Sequence, residues 1–336
     1  MLSHTIRDDV NKLRKSISHL TEGQRVLITG GAGFLGSWLC DSFVSSTAVF
    51  CHDNLATGQL KNISHLKANE HFRFKNVDVS SPEWKANADF DFILHLASRP
   101  SPADYQKHPI ETLRVSTQGT LNVLELARRC DAIILLASSS EVYGDPAVVP
   151  TPETYWGNVN PVGVRSCYDE GKRVSEALAM AYYRQYGLDV RIVRIFNTYG
   201  PRIRAKGAYA RAVPRFIAQA LSNRPITIYG SGKQTRSFCY VADTISAIIK
   251  VLLDRRVKSE IFNIGNPNEI SILELANIIV QLTRSRSKVI HEPGGEDDPK
   301  RRCPDISKIK SRLGWIPRVK LEEGLKRTIS WTKKPL

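Results

Sequence analysis

The stretch RVLITGGAGFLG, residues 25–36, decides the fold of this chain. Residues 25–29 have the composition of a short buried strand, and Gly30, Gly33 and Gly36 follow before a helical pattern. Glycines at this spacing permit a tight turn, a close approach of the backbone to a pyrophosphate, and close packing of helix on strand. The N-terminus of the helix offers its N–H groups and the positive end of its dipole. Because the strand precedes the motif and the helix follows it, the stretch predicts a dinucleotide-binding unit.

An acidic residue ends the next predicted strand, residues 48–52. Asp53 lies 23 residues past Gly30, where an acid binds the ribose hydroxyls of a dinucleotide. Its charge would repel a 2′-phosphate, so NAD is favoured over NADP; an ordinary turn residue is the alternative. The predicted cofactor-binding residues lie at this motif and at the ends of later strands and helices: Gly30, Gly33, Phe34, Leu35, Gly36, Asp53, Asn54, Asp78, Val79, Leu96, Ala97, Ser98, Tyr168 and Lys172.

Strand and helix patterns then alternate along the chain. Apolar strand patterns recur at 72–77, 90–95, 132–137 and 189–195, and helices are predicted at about 110–130 and 168–186. This order predicts an α/β fold, a doubly wound parallel sheet (Rossmann) with a smaller C-terminal substrate-binding domain. We predict an N-terminal helical extension at 1–20, an NAD-binding domain at 21–196 and 237–265, and a substrate-binding domain at 197–236 and 266–336.

The first 20 residues read as an appendage to that fold. Ile6, Val10, Leu13, Ile17 and Leu20 recur at spacings of three and four, the pattern of an amphipathic helix. We expect this helix to pack on the body of the protein or on a neighbouring subunit.

Composition limits the classes of protein that are compatible with the chain. Its 336 residues are 42% hydrophobic and 24% charged, which is ordinary for a globular protein. No apolar run approaches the ~20 residues of a membrane helix, and charges are scattered through residues 1–24, so no membrane association and a cytoplasmic location are expected. Six cysteines without a CxxC pair predict reduced, buried thiols and no metal site.

The net charge of +15 is concentrated at the C-terminal end. Residues 299–336 contain 12 Lys and Arg against three acids, which is 12 − 3 = +9. Such a surface suggests anionic ligands such as phosphates or nucleotides. A solvated basic face and an RNA-binding tail are the alternatives, and the scarcity of aromatics (Trp315 and Trp331) counts against binding of single strands.

A tyrosine and a lysine are spaced for chemistry on one helix. Tyr168 and Lys172 are four residues apart and therefore share a helix face. The ammonium, together with a cationic nicotinamide, is expected to lower the pKa of the tyrosine towards the working pH of a general base. A solvated face or a packing pair is the alternative. Ser139 and Glu141 follow a predicted strand, at the edge where ligands bind such sheets; a polar turn is the other reading.

Longer motifs resemble a known family. They are SSEVYGDP at 139–146, YWGNVNP at 155–161, RSCYDEGKR at 165–173, RIFNTYGPR at 194–202 and TRSFCYV at 235–241. They are similar to the extended short-chain dehydrogenase/reductase superfamily acting on nucleotide sugars, and within it to the UDP-glucuronic acid decarboxylases, also called UDP-xylose synthases. The resemblance covers about residues 26–331.

The resemblance implies the reaction and the roles of the site residues. NAD would accept hydride from C4 of the glucuronosyl ring, the resulting 4-ketone would allow loss of carbon dioxide from C5, and hydride would return to C4 to give UDP-xylose. Tyr168 would be the base, Lys172 its electrostatic partner, Ser139 the ligand of the C4 oxygen, and Glu141 an acid acting around C5. The substrate-binding residues implied are Asn197, Arg202, Arg211, Tyr229, Arg236 and Arg302. A homodimer formed through two long helices, near 110–130 and 168–186, is also implied.

The chain departs from the family pattern at a few positions. Ser116 stands where an asparagine is common, Arg99 replaces a small or apolar residue, and the loop at 203–209 is longer. Two other functions compete with decarboxylation: a UDP-sugar 4-epimerase, which needs the same Tyr and Lys without Glu141, and a non-catalytic nucleotide-binding protein with a basic RNA-binding tail.

Overall fold

Seven parallel strands form the central sheet of the protein, whose computed structural model describes residues 4–204, 211–294 and 301–333. Counting the smaller sheets, the described residues form fourteen strands. They are β1 Arg25–Thr29, β2 Ala48–Asp53, β3 Phe72–Asn76, β4 Phe92–His95, β5 Ile133–Ser139, β6 Val190–Ile195, β7 Thr198–Tyr199, β8 Ile226–Tyr229, β9 Thr235–Ser237, β10 Cys239–Tyr240, β11 Ile261–Ile264, β12 Glu269–Ser271, β13 Val289–Glu292 and β14 Arg301–Arg302.

Eleven α-helices are present in the described part of the chain. They are α1 His4–Thr21, α2 Phe34–Phe43, α3 Pro102–Lys107, α4 Pro109–Arg114, α5 Thr120–Cys130, α6 Ser166–Tyr186, α7 Ala212–Leu221, α8 Val241–Leu253, α9 Ile272–Thr283, α10 Ser307–Leu313 and α11 Leu321–Lys333. Single 3-10 turns occupy Leu60–Asn62, Ser64–Leu66 and Ser140–Tyr143, and a π-helical turn, Val115–Gly119, joins α4 to α5.

The strand order of the central sheet is β11-β6-β5-β4-β1-β2-β3, and every neighbouring pair is parallel. The order reverses between β1 and β4, which opens a crevice at the carboxyl ends of these strands. Alternate strand residues enter different cores: Val26 and Ile28 of β1 join one hydrophobic cluster and Leu27 joins the other. Side chains alternate across a strand, so both faces of the sheet are covered. The predicted doubly wound parallel sheet is confirmed.

Some element boundaries differ from the predicted ones. Strand β5 extends to Ser139, two residues beyond the predicted end, so the catalytic candidate lies on the strand itself. The helix predicted at about 110–130 is interrupted by the π-helical turn, at which the carbonyl of Ser116 accepts a hydrogen bond from Ser175 Oγ on α6 at 2.7 Å. The side chain of a neighbouring helix therefore satisfies a carbonyl of the turn.

The N-terminal helix packs on the body of the protein, as expected, and its apolar face is part of the main core. Ile6, Val10, Leu13 and Ile17 are buried in the same cluster as the strands and helices of the sheet. Asp9 accepts a hydrogen bond from Tyr240 Oη at 3.0 Å and pairs with an arginine of α11 at 2.6 Å. The amphipathic pattern identifies the helix, but only the fold shows that its apolar face meets α2 and α8.

Three small sheets lie outside the central one. They pair β9 with both β12 and β14, β13 with β8, and β10 with β7. Residues 261–264 return to the central sheet as β11, as the predicted domain boundaries require. The division into two domains stays a prediction. Part of the loop at 203–209 lies outside the described residues.

All six cysteines are free, and five of them are buried, which agrees with the predicted reduced thiols. Within the described part of the chain, no helix combines the length and the apolar character needed to cross a membrane.

Candidate active site

The glycine-rich turn brings backbone to the mouth of the crevice. Gly30 has φ +71°, and a Cβ there would lie 2.8 Å from the backbone nitrogen of Ala97. A Cβ on Gly36 would lie 2.2 Å from the carbonyl oxygen of Gly30. Helix α2 begins immediately after Gly33 and points its N-terminus at the crevice. These close backbone contacts leave no room for a side chain at Gly30 or Gly36. The two glycines therefore form the backbone cradle that a pyrophosphate requires.

Every predicted cofactor-binding residue lines a single cleft at the carboxyl ends of the strands. At the end of β2, the carboxylate of Asp53 accepts hydrogen bonds from the backbone nitrogens of Ala32 at 3.0 Å and Leu55 at 2.7 Å. Burial raises the pKa of Asp53, and these two hydrogen bonds oppose the rise. Each carboxylate oxygen keeps acceptor capacity for a hydroxyl group. Asp53 therefore caps the turn after the strand and also faces the cleft.

The predicted catalytic serine, tyrosine and lysine meet in the same cleft. The hydroxyl of Ser139 and the phenol of Tyr168 both line the cleft, and Ser139 acts to lower the pKa of the phenol. Lys172 Nζ donates to the carbonyl oxygen of Ala137 at 2.8 Å and lies 5.8 Å from the ring centre of Tyr168. One helix supplies the phenol and the ammonium and one strand end supplies the hydroxyl, as the spacing predicts. The three groups can hold and move a proton at a single position.

The predicted lowering of the Tyr168 pKa is not found in the protein alone. Burial raises the pKa of Tyr168 to about 12, and the carboxylates of Glu141 and Asp169 act in the same direction. Arg211 is the strongest opposing charge, followed by the hydrogen bond from Ser139. The effect of burial on the pKa exceeds that of the nearby cations, because the buried phenolate loses more solvation than the neutral phenol does. The sequence showed Lys172 beside the phenol but could not show that Arg211 lies near it.

The ammonium of Lys172 depends on a buried polar network. Burial lowers the pKa of Lys172 to about 8, and the carboxylate of Glu176 opposes this. Glu176 is held by Ser138 Oγ at 2.5 Å and by both ends of the Arg194 guanidinium at 3.0 and 2.7 Å. None of these three residues was predicted. Glu176 lies four residues past Lys172 on the same helix, and this spacing could have indicated it.

Glu141 lies at the centre of a charged cluster next to the catalytic pair. Arg302 of β14 binds its two carboxylate oxygens at 2.5 and 2.8 Å, and Arg165 forms a further short hydrogen bond to it. Although burial acts to raise the pKa of Glu141, Arg302, Arg165 and then Arg211 hold it below its usual value. The structure thus brings together Glu141 and Arg302, which lie 161 residues apart. A polar turn, the alternative reading of this stretch, does not account for two buried arginines.

A second tyrosine lies against the catalytic one. Tyr105 of α3 is buried, and its ring stacks on that of Tyr168 with centres 5.1 Å apart and planes 10° apart. The ion pair between Arg99 and Asp104, at 2.9 Å, ties down the loop that carries it. Sequence reasoning missed Tyr105, because it lies on a short helix far from both motifs. Arg99, a departure from the family pattern, has a structural role here.

The predicted substrate-binding residues divide into two groups. Arg211 lines the cleft and donates to the carbonyl oxygen of Pro100 at 2.9 Å across it, and Arg302 binds Glu141. Arg202 lines the cleft too, but it forms an ion pair with the buried Asp41 at 2.6 Å. Its guanidinium is thus engaged by the protein itself.

The other predicted substrate-binding residues lie outside the lining of this cleft. The amide nitrogen of Asn197 is buried and has no hydrogen-bond partner within the described part of the chain. The ring of Tyr229 is half exposed and lies under the guanidinium of Arg215 at 4.5 Å. Arg236 is buried and donates to the carbonyl oxygen of Thr235 at 2.8 Å. Their contact with a substrate stays a prediction.

The basic C-terminal segment is largely engaged in the fold. Trp315 is buried and donates to Ser246 Oγ at 3.0 Å, so it cannot stack on a base. Arg301, Lys308 and Arg312 pair with glutamates. These contacts count against the alternative of an RNA-binding tail.

Comparisons with known proteins agree with this site. The NAD dependent epimerase/dehydratase family matches residues 26–265. UDP-glucuronic acid decarboxylase 1 of Danio rerio is 48% identical over 93% of this chain and 73% of its own length. UDP-glucuronic acid decarboxylase 1 of Arabidopsis thaliana is 46% identical over 91% of this chain and 69% of its own length.

Solved structures show the same architecture at lower identity. The chain resembles UDP-glucuronic acid 4-epimerase from Bacillus cereus with a TM-score of 0.81 and 27% identity, over 92% of this chain and 99% of that one. It resembles UDP-glucose 4-epimerase from Thermotoga maritima with a TM-score of 0.82 and 27% identity, over 92% and 98%. The fold and glycine cradle are those of the NAD dependent epimerase/dehydratase family, and the higher identity is to one group within it. The chain therefore belongs to this family and, within it, to the UDP-glucuronic acid decarboxylases.

Proposed function

We propose that the protein converts UDP-glucuronate to UDP-xylose and carbon dioxide through a 4-keto intermediate, with its NAD recycled in each turnover. The observation that carries the proposal is Glu141. It is largely enclosed, held by Arg302 and Arg165, and lies next to the phenol that would take the proton of the C4 hydroxyl. A base beside C4 with an acid and two arginines beside it suits a substrate that bears a carboxylate on the next carbon. The relatives at 46–48% identity carry the name of this activity.

The residues present fit NAD. The backbone cradle at Gly30 and Gly36 has no room for side chains, and the Asp53 carboxylate ends β2 at the cleft. Asp53 would bind the ribose hydroxyls and disfavour the 2′-phosphate of NADP. Leu96 to Ser98 and Asp78 would line the remainder of the cofactor site. When bound, NAD supplies a reversible hydride acceptor facing C4 of the sugar.

Tyr168 is placed to move the proton of the C4 hydroxyl. Ser139, which acts on the same phenol, would hold the C4 oxygen beside it. Because burial raises the pKa of Tyr168 to about 12, the phenol depends on nearby cations to reach the phenolate. Arg211 and Lys172 provide them, and a cationic nicotinamide would add to both. When C4 is reduced again at the end of the turnover, the same phenol can return the proton to the C4 oxygen.

The carboxylate of the 4-keto sugar is lost without an additional electron acceptor. It is β to the ketone, so the electron pair of the breaking C5–carboxylate bond moves into the C4 carbonyl and carbon dioxide leaves. The resulting enolate takes a proton at C5. Glu141 would act here, positioned by the two arginines, and the reduction of C4 then completes the turnover.

The test is direct. Purified protein with NAD and UDP-glucuronate should yield UDP-xylose, a product lighter by one carbon dioxide. Glu141→Ala should abolish carbon dioxide release yet spare formation of the 4-ketone, because Tyr168, Lys172 and Ser139 remain. Glu170→Ala, on the exposed side of the same region, is the matched control. Equal loss of both steps in Glu141→Ala would refute the assignment.

A UDP-sugar 4-epimerase is the second candidate, and the epimerase structures above favour it. It would return hydride to the opposite face of C4 with the carboxylate intact. Unchanged mass together with formation of UDP-galacturonate would establish it. The buried Glu141–Arg302 pair has no purpose in that reaction, so decarboxylation is preferred.

We further propose a homodimer formed by α4, α5 and α6. Ile110, Leu113 and Val174 on these helices are exposed apolar side chains, and a second copy of the chain would cover them. Light scattering that gives the mass of a monomer would refute this. Binding of the UDP moiety by Asn197, Arg211, Tyr229 and Arg236, the two-domain division, and a cytoplasmic location stay predictions.

A further inference from the structure

Four charged side chains from three parts of the chain meet beside Tyr168. Glu141 follows β5, Arg302 lies on β14, and Arg165 and Asp169 are one turn apart at the start of α6. All four are at most 15% exposed. Two guanidinium groups face two carboxylates, so the cluster is neutral when every member is charged. We call it the carboxylate cluster.

Asp169 is the poorly satisfied member of the carboxylate cluster. Its Oδ2 lies 3.6 Å from Arg165 Nε, whereas Glu141 receives the short hydrogen bonds of both arginines. Its Oδ1 is buried and has no hydrogen-bond partner among the described residues. A buried carboxylate with one distant cation is costly in the charged form, whereas the protonated form would have an O–H to donate.

We propose that Asp169 takes up a proton when the carboxylate of the substrate enters the carboxylate cluster. This inference rests on the proposed function, because it needs a uronic acid as the substrate. The C5 carboxylate of that sugar is attached one carbon from C4, whose oxygen Tyr168 would bind. It therefore comes close to the carboxylate cluster, because the carboxylates of both Glu141 and Asp169 act on the Tyr168 phenol and share Arg165. The two arginines of the cluster cannot pair with three carboxylates, and Arg211, which also acts on Glu141, donates to the carbonyl oxygen of Pro100. A neutral Asp169 restores the pairing.

The neighbours of Asp169 do not compete for this proton near neutral pH. Burial raises the pKa of Asp169 to about 7, helped by Glu141 and opposed by Arg165 and Arg302. Glu141 keeps a lowered pKa, and the pKa values of Cys167, Tyr105 and Tyr168 are raised by burial. The charged and titratable groups facing Asp169 are Glu141, Arg165, Arg302, Tyr105, Tyr168 and Cys167. Only Asp169 among them changes charge between about pH 6 and 8.

Isothermal titration calorimetry detects the proton directly. The holoenzyme carries Tyr168→Phe in every sample, so that no sugar turns over during the titration. UDP-glucuronate is titrated at about pH 7.5 in phosphate and in Tris, whose ionisation heats differ. We expect uptake of about half a proton per site, if the bound carboxylate raises the pKa of Asp169 by about one unit. UDP-xylose, which lacks the carboxylate, should give equal heats in the two buffers.

Two further variants in the same background locate the proton. Asp169→Asn mimics the protonated residue and should bind UDP-glucuronate with equal heats in the two buffers. Glu170→Gln removes a half-exposed charge one residue away and should keep the uptake. With Asp169 present, the affinity for UDP-glucuronate should fall by about tenfold in total between about pH 6 and 9, and by about threefold per pH unit at the steepest point. In Asp169→Asn the affinity should not change over this range.

Two results overturn the inference alone. One is clear binding of UDP-glucuronate with equal heats in both buffers, and the other is uptake that persists in Asp169→Asn. Failure to bind UDP-glucuronate while UDP-xylose binds would instead overturn the proposed substrate, and the inference with it.

Discussion

Replacing Lys172 by methionine should move the pH dependence of the first chemical step to more alkaline pH. Methionine keeps the length and the apolar stem of the side chain and removes its charge. Lys172 Nζ lies 5.8 Å from the ring centre of Tyr168 and is fully enclosed with it. Loss of the ammonium removes a cation from a phenol whose pKa burial already raises to about 12.

The separation sets the size of the effect. A unit charge at that distance acts with about 3 kcal/mol at an effective dielectric constant of about 20, which equals about 2 pKa units. On the limb of the profile where the phenolate fraction limits the rate, kcat/KM should therefore fall by up to ~100-fold. Burial lowers the pKa of Lys172 to about 8, so the wild-type protein should itself lose this help as the pH rises through 8. The two profiles should converge above that pH.

The assay is kcat/KM for UDP-glucuronate between about pH 6 and 10, with NAD saturating in every sample so that a weakened ribose contact does not contribute. Arg184→Met, an exposed arginine on the last turn of the same helix, is the matched control and should follow the wild type. A Lys172→Met profile that falls equally at all pH values would refute the electrostatic role. It would leave a positioning role through the hydrogen bond to Ala137.

Two further predictions test the cradle and the N-terminal helix. Gly36→Ala should abolish NAD binding in a fluorescence titration and lower the thermal midpoint, because the new Cβ would lie 2.2 Å from the Gly30 carbonyl oxygen; Gly294→Ala, where the nearest atom is 3.8 Å away, should change neither. Ile17→Ala should cost about 2–5 kcal/mol in urea unfolding, since the side chain is buried in the main core. Leu20→Ala, 50% exposed on the same helix, should cost far less, and equal losses in the two variants would contradict the packing of α1 in the main core.

Local patterns were sufficient for the fold class and for half of the site. The strand and the glycines are consecutive, and Asp53 follows them at the separation typical of the motif. The turn and the helix N-terminus depend on local backbone geometry, so the order of residues alone predicted the cofactor cleft. Tyr168 and Lys172 were found for the same reason, since a helix places residues four apart on one face. The period of Ile6 to Leu20 identified a helix, but a period does not say what covers its apolar face.

The contacts that set the electrostatics come from distant parts of the chain. Glu141 and Arg302 are in contact although they lie 161 residues apart. Arg211 follows β6 in the chain and acts on the phenol, and Tyr105 on helix α3 stacks on Tyr168. A pKa depends on burial and on every charge nearby, neither of which is a property of neighbouring sequence. The sequence by itself determined which groups are candidates for the chemistry. The tertiary structure decided their charge states, because only folding brings those distant groups together and excludes the water around them.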